Sequence, residues 1–352
     1  MTTALCDRLG VQLPIIQAPM AGSQGSALAI AVSNAGGVGS LPCALLDLDA
    51  LRRELAAIRS GTAKPYNVNV FCHVPPTGDD ARERAWREAL APYYREYGID
   101  VSAIPSGPGR HPFSFESAEV MEEFKPPIVS FHFGLPSSDL LRRVRRWGAV
   151  VLSSATTVDE ARWLEAHGVD VVIAQGLEAG GHRGHFLSDD LTLQMGTVSL
   201  VRQIVQAVRV PVVAAGGVAD ASGVKAMIVL GAAGVQVGTA YLLCPEATTS
   251  PVHRQAIAAA AAPGATSHTA LTNLFTGRPA RGAVNRIMRE QGPMNPIAPP
   301  FPLASAAVLP LRVAAEAAGR PDFSPLWAGQ NASACREIPA AELTRVLALG
   351  AA

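Results

Sequence analysis

Residues 171–217 read VVIAQGLEAGGHRGHFLSDDLTLQMGTVSLVRQIVQAVRVPVVAAGG. A short apolar run (171–174) opens into a glycine-rich loop, a helical pattern follows over 197–208, Pro211 breaks it, and a second apolar run (212–215) ends in Gly216 and Gly217. Runs that are apolar throughout, rather than alternating, are what strands covered on both faces of a parallel sheet require. A helix between them is the connection that parallel neighbours need. The stretch reads as one β/α unit and the start of the next.

The same unit recurs in both directions. Strands are expected at 14–18, 38–41, 67–71, 128–133, 150–153, 171–174, 212–215 and 235–237. Helices are expected at 26–34, 47–59, 79–97, 137–146, 157–167, 197–208 and 221–230, with an Ala-rich helix after the last strand. Eight units favour a closed (β/α)8 TIM barrel, with an open doubly wound sheet as runner-up. Two stretches exceed what a barrel needs: the one between the third and fourth strands, with its Pro/Gly/Ser-rich segment at 104–109, and the irregular one from Pro245 to Pro310. Both are assigned to a cap over the barrel mouth.

Composition narrows the function. With 49% hydrophobic and 16% charged residues, 352 residues can bury a large core. Basic and acidic side chains both total 29, so the excess of positive charge that nucleic acid or an anionic membrane requires is missing. Small-molecule work is the better default. Lysine occurs only at Lys64, Lys125 and Lys225, and the cysteines Cys6, Cys43, Cys72, Cys244 and Cys335 are scattered, so no disulfide framework and no zinc site is expected. With no cationic leader and no run of about 18 apolar residues, the expectation is a soluble cytoplasmic protein, monomer or homodimer.

In barrels of this kind the site is built at the C-terminal ends of the strands. Residues just past the apolar runs are Pro19 and Met20, Asn69, His132, Gln175, Gly180, Gly181 and His182, Gly216 and Gly217, and Gly238 and Thr239. The glycine-marked ends of the seventh and eighth strands would let backbone N–H groups and a following helix N-terminus approach a phosphate. The loop after the sixth strand sets Glu178, His182, Arg183 and His185 among four glycines, where an imidazole can meet a ligand and move a proton near neutral pH. His185 is read as solvent-facing, and two histidines on a glycine loop make no metal site. His132 faces the mouth or is a core histidine; Lys125, just before the fourth strand, meets an anion or is solvated. Asn67 and Asn69 share one strand face.

QAPMAG, NVNVFCH, SFHFGLP, AQGLEAGGHRGHF, VVAAGGVAD, VQVGTAYL, TNLFTGRPARG and LWAGQ together make the chain resemble the nitronate monooxygenases, FMN-dependent (β/α)8 barrels, from end to end. The resemblance implies FMN with its phosphate on the seventh and eighth strand loops, contacted by Gly216, Gly217, Gln236, Val237, Gly238 and Thr239. Asn69, Gln175, Gly180 and Gly181 would complete the cofactor shell, with Pro19 and Met20 against the isoalloxazine. His182 would be the catalytic histidine, with His132 and Lys125 toward an anionic nitronate such as propionate 3-nitronate. That substrate would pass one electron to flavin and react with O2 to give a carbonyl compound and nitrite. Residues 1–75 and 112–245 would form the FMN barrel, 76–111 and 246–310 the cap, and 311–352 a helical tail packing on the barrel. Some members of the family line their substrate pocket with C-terminal tyrosines; here no tyrosine follows Tyr241, and Phe301 stands in that region.

Two other readings stay open: an FMN-dependent NAD(P)H reductase of quinones or enoyl thioesters, and a ligand-binding barrel without turnover, since fold alone does not establish catalysis.

Overall fold

The computed structural model describes residues 4–104, 110–266 and 268–351, so most of the segment expected at 104–109 lies outside the described residues. Among the described residues, eight parallel strands form one sheet: β1 (Ile15–Gln17), β2 (Gly39–Pro42), β3 (Tyr66–Phe71), β4 (Ile128–His132), β5 (Val150–Ala155), β6 (Val171–Gln175), β8 (Val212–Ala215) and β9 (Gly234–Val237). Neighbours pair in chain order, β1 pairs with β9, and a parallel bridge between Ile16 and Val38 closes the ring. It is a (β/α)8 barrel, as the eight apolar runs imply.

Side chains alternate across the barrel wall, and this parity decides what the interior holds. Ile16, Val38, Ile128, Leu152, Val171 and Val213 fill the N-terminal end, plugged by Leu5 and Leu9 of helix α1 (Ala4–Leu9). The next inward positions are polar: Ser40, Asn67 and Ser130. Above them, Asn69, His132, Ser154, Gln175 and Gln236 border an open cavity. The intervening residues, among them Val68, Val129, Val172, Ala214, Val235 and Val237, point outward and pack under the helices.

The helical ring contains α2 (Ser26–Asn34), α3 (Leu48–Gly61), α6 (Ser138–Arg146), α7 (Val158–Ala166), α8 (Thr197–Ala207) and α9 (Ala221–Val229), close to the expected ranges. Two positions differ. The helix expected at 79–97, α4 (Asp80–Glu96), does not cover the barrel; α5 (Phe115–Phe124), which the sequence reading missed, packs between α3 and α6 and starts at a Ser114–Ser117 capping box. After β9, the Ala-rich α10 (Pro251–Ala261) packs on the 3-10 turn Thr239–Leu243, and α13 (Ala340–Ala348) sits against α2, α9 and β1 instead.

A second apolar cluster explains α4. Its Trp86, Leu90, Tyr93 and Tyr94 pack with Phe275, Ile287, Met288, Leu311 and Phe323, and Tyr94 donates to the Ala307 carbonyl (2.7 Å) in α12 (Ala304–Ala317). A hairpin of β10 (Thr269–Thr272) and β11 (Ala280–Ala283) takes β7 (Gly181–His182), part of the loop after β6, as its third strand. Among the described residues, no helix is long and apolar enough to cross a membrane.

Candidate functional site

The cavity at the C-terminal end of the barrel leaves about 1310 Å³ of atom-free space counting its mouth. Of the residues singled out in the sequence, Pro19, Met20, Asn69, His132, Gln175, Gly180, Gly181, His182, Gly216, Gly217, Gln236, Gly238 and Thr239 all border it. Val237 and Lys125 do not. Val237 is one residue out of phase with Gln236, so its side chain lies in the core under the helices, and its carbonyl accepts from Ala18 N (2.8 Å). Lys125 is the exposed left-handed C-cap of α5 (φ 49°), before β4 begins, and so stands at the opposite end of the barrel. His185, expected to face solvent, is buried: Arg278 donates to its carbonyl, and its Nε2 lies 3.5 Å from Asp189.

One side of the cavity is backbone. Gly216 and Gly217 have φ of 116° and 73°, conformations that side chains disfavour, and they turn the chain immediately past β8. Asp220 caps α9 by accepting from Gly223 N (2.8 Å), which leaves the glycine backbone of the 216–217 and 238 turns bordering the cavity. Gln236 Oε1 is buried without a hydrogen-bond partner. Gln24 anchors the neighbouring loop by accepting from Met20 N (3.1 Å).

The other side is a network of side chains. Gln175 donates to the His182 carbonyl (2.9 Å) and accepts from Gly184 N (2.8 Å). Arg183 is fully buried, donating to Gln175 O (2.7 Å), Gly176 O (2.8 Å) and Gln194 Oε1 (2.8 Å). Glu178 turns away from the cavity and accepts from Thr197 N (2.7 Å) at the start of α8. Gly180 packs so tightly on residues 328 and 329 that a Cβ would fall 2.6 Å from the Ala328 carbonyl carbon.

These bonds fix two imidazoles. His132 Nε2 donates to the His182 carbonyl (3.3 Å), which leaves Nδ1 to accept from Ser154 Oγ (2.9 Å). Burial foremost, with Arg278 nearby, brings its pKa down to about 3, so it is neutral and both nitrogens are engaged. His132 therefore supports the loop that carries His182. The His182 ring lies among Phe301 (5.4 Å between centroids), Trp327 (5.6 Å), Phe71 and Phe133 (6.1 Å each), with Nε2 2.9 Å from Thr276 Oγ1. Burial, then Arg110 and His132, hold it well below the usual histidine range. A neutral imidazole at a cavity wall can accept a proton.

Sequence reasoning missed Arg110, His253, Trp327 and Asn331, all at the cavity. LWAGQ was visible as a motif, but nothing local in GPGR or PVHRQ marks Arg110 or His253 as inward-facing. No carboxylate and no charged side chain besides Arg110 borders the cavity among the described residues, and no cluster there could hold a metal ion.

The family model described as nitronate monooxygenase matches residues 2–350. A nitronate monooxygenase of Pseudomonas aeruginosa is 44% identical over 99% of this chain and 98% of its own length. A solved structure of nitroalkane oxidase from Streptomyces ansochromogenes superposes with a TM-score of 0.88 at 39% identity, covering 98% of this chain and 97% of that one. FabK from Thermotoga maritima gives a TM-score of 0.72 at 26% identity, covering 99% and 96%.

Proposed function

We propose, from the premise that this chain belongs to the nitronate monooxygenase family and is an oxidoreductase, that it binds FMN and oxidises alkyl nitronates with O2 to carbonyl compounds and nitrite. The residues fit the cofactor. Gly216, Gly217 and Gly238 offer bare backbone to a phosphate, Gln236 Oε1 is a buried acceptor awaiting a donor, and Pro19, Met20, Asn69 and Gly181 border the space for the ring. When bound, FMN supplies the one-electron step and the protein supplies position and electrostatics.

The observation that carries this reading is the neutral, half-buried His182 on a cavity that holds no carboxylate among the described residues. An anionic substrate meets no like charge there. Gln175, His132 and the β7–β11 pairing fix the loop, while Phe71, Phe133, Phe301 and Trp327 exclude water around the ring. With a neutral nitroalkane, His182 takes the α-proton; a nitronate has already lost it and needs only to be held.

A visible spectrum of the purified protein, FMN titration, and an oxygen-electrode trace with ethyl nitronate test the proposal. Protein that takes up no FMN, or loaded protein that consumes no O2, refutes it. A second reading offered by the sequence is an FMN-dependent NAD(P)H reductase of quinones or enoyl thioesters. Anaerobic bleaching of the flavin by NADH, without nitronate turnover, would select it.

A further inference from the structure

Four arginines lie around the site, Arg183 and Arg281 buried and Arg278 and Arg110 half-buried, and the first three each donate to at least two protein oxygens. Arg183 binds two carbonyls and Gln194, Arg278 donates to the His185 carbonyl and lies 4.2 Å over the Phe133 ring, and Arg281 donates to Leu177 O (2.7 Å) and toward Thr269. Arg110 is the exception. Its Nη1 donates to Ser305 Oγ (3.1 Å), a hydroxyl itself held by donating to Pro302 O (2.6 Å), while its buried Nε has no partner and no carboxylate pairs with it among the described residues.

A guanidinium partly withdrawn from water, with a buried Nε left unpartnered and no counter-charge, is held at a cost that an anionic ligand would offset. Burial lowers the Arg110 pKa only to about 10, so it stays charged at neutral pH. Its position fits that use. Arg110 borders the cavity and lies 5.7 Å from the centre of the Phe301 ring, whose centre is 5.4 Å from that of His182. A group held by Arg110 therefore shares one cavity with His182, with the Phe301 ring next to both. The guanidinium fork matches a planar pair of oxygens, which both a nitronate and a carboxylate present.

We propose that Arg110, brought in by the segment between β3 and α5, fixes a planar two-oxygen anion of the substrate and so sets which nitronates this chain accepts. The inference rests on the functional reading above. The anion is either the nitronate head or a carboxylate at the other end of the molecule, and His182 is left to take the α-proton when the substrate is a neutral nitroalkane.

The test uses flavin-loaded wild type, Arg110→Gln and Arg110→Lys, with ethyl nitronate and propionate 3-nitronate as substrates. In Arg110→Gln, KM rises about 10- to 100-fold with a smaller change in kcat, and Arg110→Lys falls between, keeping the charge but not the fork. Equal losses on both substrates place the nitronate head on Arg110; a loss confined to propionate 3-nitronate places the carboxylate there. Calorimetric titration with propionate reads binding without turnover: the wild type binds, and Arg110→Gln does not. If the wild type binds propionate through Arg110 but oxidises no nitronate, only the functional reading fails. If Arg110→Gln oxidises both nitronates with KM within about twofold of wild type at unchanged flavin content and melting temperature, only the Arg110 assignment fails. Should Arg110→Gln not fold, an unchanged KM in Arg110→Lys for both substrates overturns it equally.

Discussion

The two walls of the cavity are built on opposite principles. Beside β8 and β9 the chain presents glycine backbone and one glutamine oxygen without a partner. Beside β6 and β7, Gln175 is engaged at both ends, His132 through both nitrogens and Arg183 through all three nitrogens, while Glu178 is spent on a helix N-terminus. The first wall is completed by whatever binds; the second is finished before anything arrives. A site that must take in a large cofactor yet keep one imidazole oriented gains from that division, since preorganised groups need no rearrangement at the moment of reaction.

The sharpest attempt to break the contrast is at its reactive residue. His182→Asn is expected to lower kcat/KM on neutral nitroethane by about 10²- to 10⁴-fold, with a smaller loss on ethyl nitronate and the bound-flavin spectrum retained. Equal losses on the two substrates, read from oxygen uptake, would mean that the imidazole is not the base. Next in size is the locked wall itself. Arg183→Met strips donors from two carbonyls and an amide oxygen, and urea unfolding should show a loss of about 3 kcal/mol or more, against little change for the exposed Arg202→Met. A similar midpoint for the two variants would show that the network carries no stability.

Acid should act on the histidine-bearing side. Burial, with arginines nearby, holds His185 near pKa 3 and His73 near 4, and burial with Arg312 nearby holds His253 near 4. Unfolded histidine titrates at about 6.5, so between there and the folded values the unfolded chain binds more protons. Their contribution is therefore complete above about pH 6.5 and falls on acidification, by up to about 1.4 kcal/mol per pH unit for each group. Urea midpoints at pH 7.5 and 5 measure it; greater stability at pH 5 would contradict the sign. The smallest effect is reserved for the bare wall. At Gly238, φ is −114° and an added Cβ would lie 3.4 Å from Ala18 Cβ, an ordinary contact, so Gly238→Ala should leave the apoprotein as stable as wild type. Its FMN affinity should drop about tenfold, or about 1.4 kcal/mol, by fluorescence titration. Unchanged affinity would move the phosphate elsewhere.

Buried parallel strands leave a compositional mark, plainest in VVIA and VVAA, and all eight strands fell within about two residues of the expected ranges. The same period of two sets the limit: Gln236 and Val237 stand side by side at the end of the last strand, yet adjacent residues on a strand cannot both face in. α4 and α5 were confused because an amphipathic helix shows which face is buried but not what buries it; the partner of Trp86 and Tyr94 is α12, some 200 residues on. β7, β10 and β11 are short and carry small residues, so no alternation marks them. Arg110 and Lys125 show the hardest case. A basic residue in a loop reads alike whether it ends in solvent or in a cavity, and only tertiary placement separates the two.

The seam where β1 meets β9 is covered from outside by α13, whose Leu343 and Leu347 are buried and whose Thr344 hydroxyl lies 2.9 Å from the Tyr241 hydroxyl. The outer cover of that seam thus comes from a helix that begins about a hundred residues after β9. Until residues 340–348 are in place every strand is present and paired, but the outer face of that seam leaves apolar side chains in water.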